Sequence, residues 1–250
     1  MRISSDSNGH PLAPVLEVVG LSAGYGAAPV VDEVDLSMVQ GEIVAVLGPN
    51  GAGKSTFLKA LTGRLRPSAG RVRLDGHDIT GMAAHRLARL GVGYVPQVKD
   101  VFPTLTVREN LELGGYLLPS GAVSAHVERV VALVPALRPL LDRTVKSLSG
   151  GERKLLGIAR SLMLEPRVLL LDEPTASLAP AVAQEVLSRH VRALADEGTA
   201  VLLVEQRVKD ALAVADRGYV MVGGRVRATG RAADLLARED VGEMFLGVVG

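Results

Sequence analysis

The sequence predicts an α/β fold: a largely parallel sheet covered by helices. Three observations point to it. Residues 168–171 form an apolar run with no polar alternation, as expected of a parallel strand covered on both faces, and residues 200–204 form a second such run. From residue 167 onward, strand-like and helix-like segments alternate, with Pro180 placed at the first turn of the helix between those two strands. At residues 43–61 an apolar strand, a glycine loop and a helix follow one another without a break.

Taken in order, residues 1–14 are rich in Ser, Asp, Asn, Gly and Pro with no apolar stretch, so they read as a mobile tail rather than a signal peptide. Residues 15–19 and 30–39 read as strands, the second alternating through Val34, Leu36 and Met38. A turn carrying Tyr25 lies between them, and that tyrosine is either an exposed loop aromatic or a ring placed to stack on a flat base. Residues 43–47 are a strand and 55–61 a helix, and the chain then breaks at residues 67–70. Strands follow at 71–74 and 92–95, with a short basic helix at 82–90 between them. From Phe102 to about Leu164 the chain is mostly helical, and Thr106 with Glu109 has the spacing of a capping box. The helix opened by Pro180 buries Val182, Val186, Leu187, Val191 and Leu194 and ends near Gly198. Strand 199–204, a hairpin of 219–222 with 225–228, and short helices at 231–237 and 241–246 close the chain.

Composition sets bounds on function. The 250 residues are 48% hydrophobic and 22% charged, an ordinary globular balance. Lys+Arg 28 against Asp+Glu 27 gives a net charge of +1, so no broad basic face argues for nucleic acid as a partner. No cysteine is present, which removes disulfides and thiolate metal sites, and no apolar run approaches the length of a membrane span.

Three segments carry chemistry. The first is Gly48, Pro49, Asn50, Gly51, Ala52, Gly53, Lys54, Ser55 and Thr56, the spacing of a phosphate-binding loop in the strand–loop–helix context that makes such a match meaningful. Its glycines let successive N–H groups converge on an anion, Lys54 reaches the outer phosphates, and the Ser55 hydroxyl ligates Mg²⁺. The second runs from Leu148 through Ser149, Gly150, Gly151 and Glu152. Ser149 and Glu152 suit a helix cap, but two glycines in a first turn cost about 1 kcal/mol each against alanine. That cost makes sense where a phosphate must approach the backbone closely. The third is the strand end Asp172-Glu173. Ligands bind at the carboxyl ends of strands in open α/β sheets, so Asp172 is placed to hold Mg²⁺ and Glu173 to deprotonate or orient a water.

Tyr25, the loop from Gly48 to Thr56, Gln97, the run from Leu148 to Glu152, and Asp172-Glu173 stand in the order found in the ATP-binding cassette (ABC) ATPases, which this chain resembles from about Val15 to Leu236. The resemblance implies a RecA-like P-loop core (15–97 and 166–236) with an antiparallel β subdomain, an α-helical insertion at about 98–165, and closing helices at 231–250. It implies that Tyr25 stacks on adenine, that Gln97 reports the metal and water to the insertion, and that ATP and Mg²⁺ are the cofactors. It further implies a head-to-tail pair of cassettes in which Ser149, Gly150 and Gly151 meet the γ-phosphate held by the partner's loop. The expected place is the cytoplasmic face of the cell membrane, against permease subunits and, indirectly, an extracytoplasmic solute-binding protein.

Two positions depart from the general pattern of that family. Ala179 stands where most cassettes carry an aspartate after the Ser-x-Leu of the loop, and Gln206 stands where most carry a switch histidine. Gln206 can donate a hydrogen bond to phosphate but cannot carry a proton at neutral pH. Both departures resemble the ATP-binding subunits of importers for branched-chain amino acids, urea and amides. An exporter motor and a soluble cassette ATPase are the competing readings, although no coiled coil or basic extension supports the latter.

Overall fold

The computed structural model describes residues 13–98 and 100–238. Strand β1 (Leu16–Ala23) pairs with β2 (Val31–Met38), and β3 (Ile43–Leu47) leads into helix α1 (Lys54–Leu61). There follow β4 (Ala69–Leu74), β5 (His77–Asp78), α2 (Ala84–Arg89) and β6 (Val92–Val95). Helices α3 (Val107–Gly114), α4 (Val123–Leu133) and α5 (Gly150–Leu162) come next, then β7 (Val168–Asp172), α6 (Pro180–Glu185) and α7 (Arg192–Asp196). The chain continues with β8 (Ala200–Glu205), α8 (Val208–Val214), β9 (Arg217–Val222), β10 (Arg225–Arg231) and α9 (Ala232–Leu236).

Among the described residues two sheets form. The larger has the order β10-β9-β3-β8-β7-β6 and is parallel except at its β9–β10 edge; the smaller, β2-β1-β4-β5, is antiparallel. The uninterrupted apolar runs serve two cores at once. Ile43, Ala45 and Leu47 face one side with Leu169, Leu171, Val201 and Leu203, where they meet Val107, Leu111, Val127, Leu156 and Ile158 of the helices. Val44 and Val46 face the other side with Val168, Leu170 and Leu202, and pack against Phe57 and Leu58 of α1 and against the antiparallel sheet. Side chains in a strand alternate faces, so the absence of polar alternation reports two buried faces. The parallel core predicted from sequence is present.

Several expectations need correction. Strand β1 runs through Ala23 rather than stopping at Val19, because Gly20 (φ 57°) kinks the strand and pairing resumes beyond it. The stretch from Phe102 to Leu164 is mostly helical, as expected, and its helices are separated by 3₁₀ turns at Pro135–Leu140 and Val145–Ser147, the first carrying Pro135 and Pro139. Val182 is not buried; it is 36% exposed, and Ala183 takes the buried place. Ala183 shares a face with Val186 and Leu187, three and four residues on, whereas Val182 Cγ1 lies beside Gly151 of α5; a π turn follows at Val186–Val191. Lys154, whose spacing in α5 falls off the stripe of Leu155, Ile158, Ala159 and Leu162 and so predicts a polar face, is buried. Residues 1–12 of the expected tail and the expected helix at 241–246 lie outside the described residues.

Candidate functional site

The carboxyl ends of β3, β7 and β8 converge. The loop that leaves β3 needs glycine at Gly48, where a Cβ would collide with the Met221 carbonyl oxygen, and at Gly53, whose φ of 99° lies in the left-handed region. Helix α1 starts without a side-chain cap, so its first-turn N–H groups are not taken up by a neighbouring hydroxyl or carboxylate. The Lys54 ammonium donates to the carbonyls of Gly48 at 2.6 Å and Pro49 at 3.1 Å, folded back on its own loop. Burial lowers the Lys54 pKa from the ordinary lysine value, opposed by the carboxylates of Glu173, Asp172 and Glu205. Ser55 is exposed on the first turn of α1, and Thr56 is buried beside it.

Asp172 ends β7. Burial raises its carboxyl above the ordinary aspartate range, and Tyr94 donates its hydroxyl to Oδ2 at 3.2 Å. Burial, helped by that carboxylate, pushes the Tyr94 hydroxyl up to about 12. Glu173 follows in a left-handed conformation (φ 46°) that turns the chain off the strand. Two amides clasp its carboxylate: Gln97 Nε2 donates to Oε2 at 2.8 Å, and Gln206 Nε2 donates to Oε1 at 2.6 Å. The structure therefore brings together Gln97, Glu173 and Gln206, and it places Gln206 on the carboxylate.

Glu205, at the end of β8, was not singled out as a site residue. It is buried, and its Oε1 accepts from the backbone N–H and the hydroxyl of Thr175, at 2.9 and 2.7 Å. Burial raises its pKa. This bond fastens the loop that carries Glu173 to the neighbouring strand. An acidic residue closing an apolar strand was the available signal.

Tyr25 is 64% exposed, and its hydroxyl accepts from Lys59 Nζ at 3.0 Å, which lowers its pKa. It stands over α1 with its ring open to solvent. Ser149 caps α5 by accepting from the Glu152 N–H, while Glu152 accepts from the Ser149 N–H at 2.7 Å. Gly150 has room for a side chain, but a Cβ on Gly151 would lie 2.6 Å from Val182 Cγ1. One of the two glycines is therefore required by packing within the chain. Lys154 donates to the Gln97 carbonyl at 3.1 Å and pairs with Asp100 at 3.0 Å, so α5 holds the Gln97 segment from behind. In this chain Gly150 faces Leu178 and Gly151 faces Val182, on the segment that follows Glu173.

A phosphate-type loop closing one parallel strand and a carboxylate pair closing another define a P-loop nucleotide-binding fold. The chain belongs to the ABC transporter family, whose profile matches residues 31–176. It is 39% identical over 235 residues to a probable branched-chain amino acid transport ATP-binding protein, LivF, of Archaeoglobus fulgidus, covering 94% of this chain and 100% of that one. It is 35% identical to the lipopolysaccharide export system ATP-binding protein LptB of Escherichia coli, covering 93% and 97%. The ADP conformation of an ATP-binding cassette of an ABC transporter superimposes with a TM-score of 0.86 at 29% identity, covering 94% and 99%. Among the described residues no helix is long and apolar enough to cross a membrane.

Proposed function

We propose that this chain binds and hydrolyses ATP with Mg²⁺ and thereby powers a membrane importer for branched-chain amino acids. The observation that carries the reading is the Glu173 carboxylate, clasped by Gln97 and Gln206 beside the phosphate loop. A carboxylate fixed by two donors cannot swing, so a water lined up on a γ-phosphate would meet a base of fixed direction. Asp172, the Ser55 hydroxyl and the Gln97 side-chain carbonyl are the groups that would hold Mg²⁺. The donor set fits: Mg²⁺ is bound through one or two carboxylates plus substrate phosphates, and here the Asp172 carboxylate ends β7 and the exposed Ser55 hydroxyl lies in the first turn of α1. The ion would supply neutralisation of the phosphate charge. Gly48, Pro49, Asn50, Gly51, Ala52, Gly53, Lys54 and Thr56 form the cradle, and Tyr25 is the adenine platform.

On this reading a second cassette, a sister chain or a copy, supplies Ser149, Gly150 and Gly151 to each site. Residues 98–165 are the insertion that meets the permease, through a groove of about 260 Å³ lined by Tyr94, Leu113, Tyr116 and Arg160. Gln206 and Ala179 favour the importer branch, as do the names of the LivF and BraG relatives. The LptB relatives keep an exporter as the second reading.

Glu173→Gln tests the base. Turnover should fall about 10²- to 10⁴-fold while nucleotide still binds, leaving a nucleotide-bound pair detectable by its size. Unchanged turnover would remove Glu173 from that role. Vesicles carrying the permease subunits should take up labelled leucine on ATP addition; turnover without uptake would leave the motor and remove the solute.

A further inference from the structure

The groove and the nucleotide site share one side chain. Tyr94, on β6, lines the groove beside Arg64, Asp100, Gly157 and Arg160. The Arg64 guanidinium lies 4.7 Å from the centre of its ring, within cation–π range. On the other side the Tyr94 hydroxyl donates to Asp172 Oδ2 at 3.2 Å. Packing alone would be met by phenylalanine; the hydroxyl is explained by Asp172. Carboxylates that ligate a cation are themselves held by outer hydrogen bonds, and losing such a partner typically weakens metal binding about 10- to 100-fold.

From this geometry we infer that Tyr94 is a positioning residue for Asp172, its ring held in turn by Arg64. The inference rests on the reading of Asp172 as a cation ligand. A donor on Oδ2 fixes the carboxylate plane and leaves the other oxygen for the ion. Displacing the ring from Arg64 moves that donor, so the stacking and the hydrogen bond act on one side chain.

The test uses the full chain with Mn²⁺ as a spectroscopic probe, titrated in the presence of ATP, alongside ATP binding in EDTA. Tyr94→Phe keeps the ring and removes only the hydroxyl. Its Mn²⁺ affinity should fall by about 10-fold or more, with ATP affinity in EDTA unchanged. Arg64→Ala leaves the hydroxyl in place but releases the ring, and should shift Mn²⁺ affinity in the same direction by a smaller factor. Unchanged Mn²⁺ affinity in Tyr94→Phe, with Asp172→Asn losing it, would overturn the inference and leave the Asp172 reading standing. An equal loss of ATP affinity in EDTA would make the hydroxyl a packing feature and also overturn it. Unchanged affinity in Arg64→Ala would overturn the role given to Arg64, and unchanged affinity in Asp172→Asn would overturn the underlying reading itself.

Discussion

Helices α1 and α5 both begin at glycines, yet the two starts are prepared differently. Helix α1 has no side-chain cap, its Gly53 sits at φ 99°, and its lysine folds back onto the loop's own carbonyls. Helix α5 is closed by a full capping box, with Ser149 and Glu152 satisfying each other's N–H groups. An uncapped start carries orphan donors and a positive end, which an anion satisfies. A capped start is stable by itself, and its Ser149 oxygen already accepts from Glu152, leaving the hydroxyl proton to donate outward. The first start leaves donors that a ligand would satisfy; the second is complete without one and, on the proposed function, would add to a ligand held elsewhere.

Three substitutions break or sharpen this contrast. Lys54→Ala has the largest expected effect. Hydrogen bonds to charged groups are worth roughly 1.5–3 kcal/mol, so ATP affinity measured by calorimetry should drop about 10- to 100-fold, while apo stability changes little. Gly151→Ala comes next. Its Cβ would press on Val182 Cγ1, and overpacking of this kind costs about 1–3 kcal/mol. Adding Val182→Ala should restore the urea midpoint. Restored stability without restored turnover would show that the glycine also clears a path for phosphate. Ser149→Ala is the smallest: loss of a cap costs about 1 kcal/mol, read by urea unfolding, with ATP affinity of the single chain unchanged because α5 does not form the cradle.

What the sequence disclosed follows from the range of the forces involved. The phosphate loop, both capping boxes and the two-faced strands rest on neighbours within about five residues, and each stands where the local pattern placed it. Val182 and Lys154 did not. Val182 lies toward Gly151 of α5 while Ala183 turns to the core, a contact between distant segments that local periodicity does not reveal. Lys154 is buried because Asp100, 54 positions away, comes to meet it. Tyr94 and Glu205 were passed over for the same reason: their partners, Asp172 and Thr175, lie on other strands or loops. The clasp on Glu173 joins three segments. Its members were legible one by one, but their contact was not.

Both faces of β7 and β8 are hydrocarbon, so sliding either strand one place along its neighbours would exchange the two cores at little loss of apolar contact. What opposes the slide is the pair of carboxylates at the strand tips, Asp172 and Glu205. A shift inward would drag a charge into oil, away from the tyrosine or threonine that satisfies it. These two buried carboxylates thus act as end-stops against a slip of the sheet.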